Sequence, residues 1–187
     1  MTGLRFRPHH FLCALGFAGK GYDDGFTRNM AAIVDGRLRG DDGDQVEIEV
    51  VADADGICAP CPHRRGTGCD RQAKIDALDR RHAAALGLAA GQRLSWGAAQ
   101  DRMAARVAPG DLVRLCAGCQ WLALGLCTAA LARLRQGRNA APGGGARGVA
   151  LACARVGRRR VTSSPDHPTQ CEIIDFNAVP VMPSGPG

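Results

Sequence analysis

The stretch LCAGCQWLALGLC, Leu115 to Cys127, decides how this chain is to be read, because three cysteines interrupt a run that otherwise has the composition of an apolar helix. An earlier stretch, ICAPCPHRRGTGC from Ile57 to Cys69, repeats the spacing in a loop full of turn formers. Both read Cys-x2-Cys-x7-Cys. Were Leu115 to Cys127 one unbroken helix, Cys116 and Cys127 would stand roughly 16 Å apart along its axis. Two thiolates on one zinc lie within about 4.6 Å, twice the bond length. Either the chain bends near Gly125, or Cys127 serves a different centre from the Cys116 and Cys119 pair.

Thiolates are strong, soft ligands, and a Cys-x2-Cys turn brings two sulfurs close enough to grip one metal or two corners of a cluster. One such pair is common by chance; two pairs, each with a third cysteine at the same offset, are hard to explain as packing. The chain has nine cysteines, an odd number that no complete intramolecular disulfide framework uses up, and a reducing compartment disfavours such a framework anyway. Cys58, Cys61, Cys116 and Cys119 alone would satisfy a structural zinc, which leaves Cys69 and Cys127 without a role. Iron-sulfur clusters more often combine clustered cysteines with a remote one, Cys61 is followed by a proline as in ferredoxin runs, and Cys13 is the natural remote ligand. Seven cysteines plus one of the adjacent His9 and His10, with His10 favoured, make eight ligands. Eight suit two four-coordinate centres; one cluster held by any four of them is the other arrangement.

The rest of the chain supplies the frame. Pro8 opens a short helix in RPHHFLCALGF, and GKGYDDG is a Gly-rich turn. Phe26, Met30, Ile33, Val34 and Leu38 follow the helical period. QVEIEVV alternates Val46, Ile48 and Val50 against Glu47 and Glu49, as a strand with one wet face does. Asp70 is expected to cap a helix whose inner face is Ile75, Leu78, His82 and Leu86, ending at Gly87, with His82 a satisfied core residue rather than a ligand. Ser95 caps a helix through Trp96, Met103 and Val107, and Asp111 caps the next, which carries Leu112, Leu115 and Cys116 into the second cluster. His63 is placed beside the first cluster as a hydrogen-bonding neighbour, and Trp121 as a shield or as ordinary core. After Gly137 the composition changes to the linker RNAAPGGGARG, so residues 1–137 form the cysteine-rich domain and 138–187 a linker and extension with short strands. Cys153 and Cys171 share no repeated spacing. The fold class is α+β, predominantly helical.

The net charge of +6 rests almost wholly on arginine, with lysine only at Lys20 and Lys74, and aromatics are 4% of residues, too few for the stacking that single-strand binders use. Nucleic acid is therefore the less favoured partner. No apolar run is long enough to cross a membrane, and the start has no signal-peptide pattern, so a cytoplasmic protein is expected. Neither a phosphate-binding loop nor a nucleophile elbow occurs, and no enzyme active site stands out.

The four motifs RPHHFLC (Arg7 to Cys13), GKGYDDGFTRNM (Gly19 to Met30), ICAPCP with Cys69, and CAGCQW with Cys127 occur in the order in which they are found in the family called domain of unknown function 1284, which this chain resembles over roughly its first 130 residues. The resemblance implies iron-sulfur binding and carries Cys13, Cys58, Cys61, Cys69, Cys116, Cys119 and Cys127 over as motif positions, with His9 and His10 beside them; it implies no reaction. The expectation is thus a protein with one or two clusters, [4Fe-4S] in type, that works in one-electron transfer or redox sensing with a redox protein as partner. The alternative is a zinc-stabilised module binding nucleic acid or a protein.

Overall fold

In a computed structural model of the chain, residues 3–140 are described. Three short strands form one sheet in the order β1, β2, β5: β1 (Leu4–Phe6) runs parallel to β2 (Glu47–Val50), and β5 (Arg93–Ser95) antiparallel to it. A parallel pair needs a long crossover, and here it consists of α1 (His10–Gly16) and α2 (Asp24–Ile33), the latter extended by one π-helical turn, Val34–Leu38. Asp23 caps α2 by accepting from the Phe26 amide at 2.7 Å. Phe26, Met30, Ile33, Val34 and Leu38 are all buried, as their period predicts, although the last turn is widened. In β2 the predicted alternation holds, with Ile48 and Val50 buried against the core.

The first cysteine loop follows β2. It contains a two-residue-per-strand hairpin, β3 (Arg64–Arg65) and β4 (Gly68–Cys69), and leads into α3 (Gln72–Leu86). Asp70 does not cap α3; its carboxylate is taken by His63 Nδ1 at 3.1 Å and by Arg65 at 3.2 Å, and α3 starts without a side-chain cap. Beyond β5, α4 (Trp96–Arg106) has the expected Ser95 cap, donated to by the Ala98 amide at 3.2 Å. Such a cap contributes about 1 kcal/mol. Asp111 instead accepts from the Ala108 amide at 2.8 Å, closing the turn before α5 rather than capping it.

The opening stretch is not one helix. The helix α5 (Leu112–Leu115) stops at Cys116, a turn and a short 3-10 segment (Leu122–Leu124) follow, Gly125 turns the chain in the left-handed conformation (φ 67), and α6 (Leu126–Ala140) begins. A side chain at Gly125 would strain that conformation. The core of Phe6, Phe11, Leu12, Ile48, Leu86, Met103, Leu112, Leu115 and Leu131 binds sheet and helices together, and α1 lies directly against α6. Six α-helices and a small sheet make the fold predominantly helical α+β. The boundary read at Gly137 falls within α6; the linker beyond Ala140, the tail strands, Cys153 and Cys171 lie outside the described residues.

Candidate metal centre

All eight residues singled out as ligands, Cys13, Cys58, Cys61, Cys69, Cys116, Cys119, Cys127 and His10, line one cavity of about 160 Å³. Its other walls are chiefly apolar, among them Phe17, Ile57, Leu78 and Leu122, with Tyr22 and Trp121 also on the lining. Cys13 comes from α1, Cys58, Cys61 and Cys69 from the loop and hairpin before α3, Cys116 and Cys119 from the turn after α5, and Cys127 from the first turn of α6. The break at Gly125 is what brings Cys127 back. Gly16 lets it in: a Cβ there would meet the Cys127 sulfur at 2.6 Å and its Cα at 2.7 Å. All seven thiols are free.

The thiols fall into two groups. In one of them Cys13 lies within electrostatic reach of Cys127, Cys119 and Cys116, Cys116 within reach of Cys119 and Cys127, and Cys127 within reach of Cys119. Burial first, then Cys127, Cys119 and Cys116, push the Cys13 thiol well above its ordinary value; burial, Cys119 and Cys127 push Cys116 up to about 12, and burial and Cys119 push Cys127 up to about 11. These are neutral thiols at pH 7, unlike the low-pKa, partly exposed cysteines that act as nucleophiles. Four thiolates so placed repel one another, and a cation among them removes that cost by deprotonating them outright. Among the described residues, no three of these four sulfurs lie mutually within 4.8 Å.

The other group is built on the Cys-x2-Cys turn, closed by a hydrogen bond of 3.0 Å from the Cys61 amide to the Cys58 carbonyl. β3 and β4 then fold Cys69 back, paired in register with Arg64. Burial raises Cys61, while the backbone amides of His63 and Arg64 favour its thiolate and Cys69 opposes it. The Arg71 amide donates to the Cys69 sulfur at 3.4 Å. Burial and the adjacent Asp55 carboxylate push Cys58 up to about 12.

Two buried carboxylates, which sequence reasoning did not single out, fix the histidines. Asp55 Oδ2 lies 2.6 Å from His10 Nδ1 and accepts from the Arg7 amide at 2.6 Å, while Oδ1 accepts from the amides of Ile57 and Cys58 at 2.9 and 3.0 Å. Burial would raise this carboxyl; His10 and the backbone amides outweigh it and hold it at about 2. Asp79 does the same for His9, with Oδ1 at 2.6 Å from Nδ1, and its other oxygen accepts from Arg7 Nε at 2.7 Å. Burial and the neighbouring His10 ring, 4.1 Å away between centroids, lower His9 to about 4 against the pull of Asp79. His82 is the satisfied core histidine expected: it is 1% exposed, its Nδ1 donates to the Leu78 carbonyl at 2.8 Å, and its Nε2 accepts from the Cys116 thiol at 3.5 Å. The one grouping of three or more donor atoms mutually within 4.8 Å, among the described residues, is His10, Asp55 and Cys58.

Tyr22 closes the assembly. Its ring packs edge-on against Phe26 and His63, both at 5.0 Å, and against Trp121 at 5.7 Å, which ties the first cysteine loop to the second. Burial, then Cys61, Cys13 and Cys119, push its hydroxyl up to about 12.

The fold and cavity define a cysteine-rich, mainly helical α+β domain with convergent thiols and carboxylate-held histidines. A family model described as "Protein of unknown function (DUF1284)" matches residues 21–125, more than half of the 187 residues, and the chain belongs to that family. The match includes Cys58, Cys61, Cys69, Cys116 and Cys119; His10, Cys13 and Cys127 lie outside it. No curated protein and no solved structure matches the chain.

Proposed function

We propose that this chain is an iron-sulfur protein in which Cys13, Cys116, Cys119 and Cys127 hold one [4Fe-4S] cluster. The observation that carries the reading is the convergence of these four free thiols, from three separate segments, on one largely apolar cavity. The donor set fits: four soft thiolates complete a cubane without help from another residue. Such a cluster supplies one-electron chemistry.

The chain's own residues set the conditions for it. His82 Nδ1 donates to the Leu78 carbonyl, so its Nε2 accepts from the Cys116 thiol and orients that sulfur. Apolar walls keep water from the sulfurs, which lowers the dielectric and shifts the potential. Tyr22, 39% exposed, and Leu124, 50% exposed, belong to the cavity lining and reach solvent, so an electron-transfer partner would meet the centre on that side. The role is one-electron transfer or redox sensing in the cytoplasm, where a reducing medium keeps seven thiols free.

Anaerobic purification, followed by iron and acid-labile sulfide analysis and by electron paramagnetic resonance of the dithionite-reduced protein, tests this. A brown protein with four irons and four sulfides per cluster is expected for a cubane; a colourless chain with no sulfide would end the reading.

A further inference from the structure

The cysteines that the proposed cluster does not use have a different geometry. We propose that Cys58, Cys61, Cys69 and His10 form a second, mononuclear centre that takes a zinc ion, with Asp55 holding His10 from behind. The inference uses the division of the thiols into two groups but does not depend on the other group carrying iron.

Three observations converge on it. The first is the ligand scaffold: a tight Cys-x2-Cys turn, closed by the Cys61 amide on the Cys58 carbonyl, runs straight into a β-hairpin that returns Cys69 beside it. Backbone amides face these sulfurs, Arg71 on Cys69 at 3.4 Å and those of His63 and Arg64 on the Cys61 side. Amide hydrogen bonds to sulfur stabilise a thiolate that has lost its proton to a metal, and a packed free thiol has no need of them.

The second is the histidine. His10 Nδ1 is 2.6 Å from a carboxylate whose side chain is 0% exposed, so Nδ1 donates to it and Nε2 is the ring nitrogen left to meet a metal. No hydrogen bond occupies Nε2, and no buried side-chain nitrogen or oxygen is left without a partner among the described residues, so Nε2 opens into the cavity that the three thiols line. A carboxylate, an imidazole and a metal in series are the usual outer support of a zinc-bound histidine. Asp55 itself is not a ligand, since both its oxygens are already filled, by His10 and the Arg7 amide on one side and the Ile57 and Cys58 amides on the other.

The third is scale. A ring nitrogen of His10 lies within 4.8 Å of the Cys58 sulfur, near the separation across one tetrahedral ion, and binding would draw Cys61 and Cys69 in to complete the set. Three cysteines and one histidine make a closed tetrahedral set of the kind structural zinc sites use. The centre would fasten α1, through His10, to the hairpin before α3.

Zinc, iron and sulfide are measured together on the anaerobically purified full chain and on His10→Ala, Cys69→Ser and Cys119→Ser. One zinc per chain, lost in His10→Ala and Cys69→Ser but kept in Cys119→Ser, is expected. Iron at twice the content of one cubane with no zinc would overturn the proposal while leaving the cluster reading intact; zinc without iron would uphold it while ending that reading. Should His10→Ala and Cys69→Ser fold poorly, the Cys119→Ser chain, in which the other group keeps only three cysteines, is stripped of metal and loaded with one equivalent of cobalt(II): visible bands of tetrahedral cobalt with a sulfur-to-metal charge-transfer band support the site. Octahedral cobalt, faint and pink, would refute it.

Discussion

Nδ1 of His10 lies 2.6 Å from Oδ2 of Asp55, and the same carboxylate accepts from the backbone amides of Arg7, Ile57 and Cys58. One buried side chain therefore fixes the histidine, the end of β1 and the entry to the first cysteine turn. Asp55→Asn keeps the shape but sets an amide nitrogen against a backbone donor. We expect a stability loss of about 3–5 kcal/mol, the usual cost of breaking a buried charged pair, read from the urea midpoint. Bound zinc should weaken by about 10- to 100-fold, as when the partner behind a metal-bound histidine is lost, read by competition with a chelator.

Gly16 has a comparably narrow requirement. A methyl group there would press on the sulfur and Cα of Cys127, and the latter belongs to backbone that cannot rotate away. Gly16→Ala is expected to separate α1 from α6 and cost about 1–3 kcal/mol, as overpacking does. Because the displacement falls on Cys127 and Cys13 together, iron content should fall in the same variant while zinc is kept. Thermal unfolding and metal analysis on one preparation check both.

The thiols make the metal-free protein sensitive to base. Cys58 and Cys116 are raised to about 12 and Cys127 to about 11, above the ordinary 9.0 that they have when unfolded. Between those values the unfolded chain releases protons that the folded one retains, so base favours unfolding. Stability is fully present below pH 9 and is lost as the pH rises through 11 to 12. Metal-bound thiolates have no proton to release, so the loaded protein should lack this alkaline loss. Urea midpoints of both forms measured from pH 7 to above 10 test it; parallel curves would contradict the thiol burial.

Much of this frame was legible because it depends on local periodicity. The apolar run from Phe26 to Leu38, the alternation in β2 and the Ser95 cap are dictated by neighbours in sequence, and so is the repeated cysteine spacing. The missed features are all contacts across the chain. Asp70 and Asp111 are good cap residues by type, yet each found a better partner: His63 and Arg65 for one, the Ala108 amide for the other. Asp55 and Asp79 lie 45 and 70 residues from the histidines they hold. One faint signal existed, since Asp79 lies between Leu78 and His82 on the inner face of α3, where a lone acid needs a reason. The bend near Gly125 was one of two readings open from the helix geometry, whereas the close approach of Cys127 to Gly16 was out of reach.

The division between domain and tail has its own test. Cys61→Ala and Cys119→Ala should each lower bound metal and destabilise the fold, whereas Cys153→Ala should leave metal content unchanged. Equal loss from all three would move the boundary past Gly137 and bring the extension into the site.

Tyr22 bears on the lifetime of the proposed cluster. Its ring touches Phe26 and His63 at 5.0 Å and Trp121 at 5.7 Å, so it spans the two cysteine segments at the cavity wall, and it is 39% exposed. The ring covers one approach from solvent to the sulfurs. Tyr22→Ala opens that route without altering any ligand, and iron and sulfide at isolation under anaerobic conditions should match the wild type. On exposure to air its visible absorption should bleach several-fold faster. Tyr22→Phe separates the ring from its hydroxyl, which stays protonated because burial raises it to about 12. If the ring alone shields, the phenylalanine variant bleaches at the wild-type rate; if the hydroxyl contributes, it bleaches faster than the wild type. Wild-type rates in both variants would remove Tyr22 from the protection of the centre.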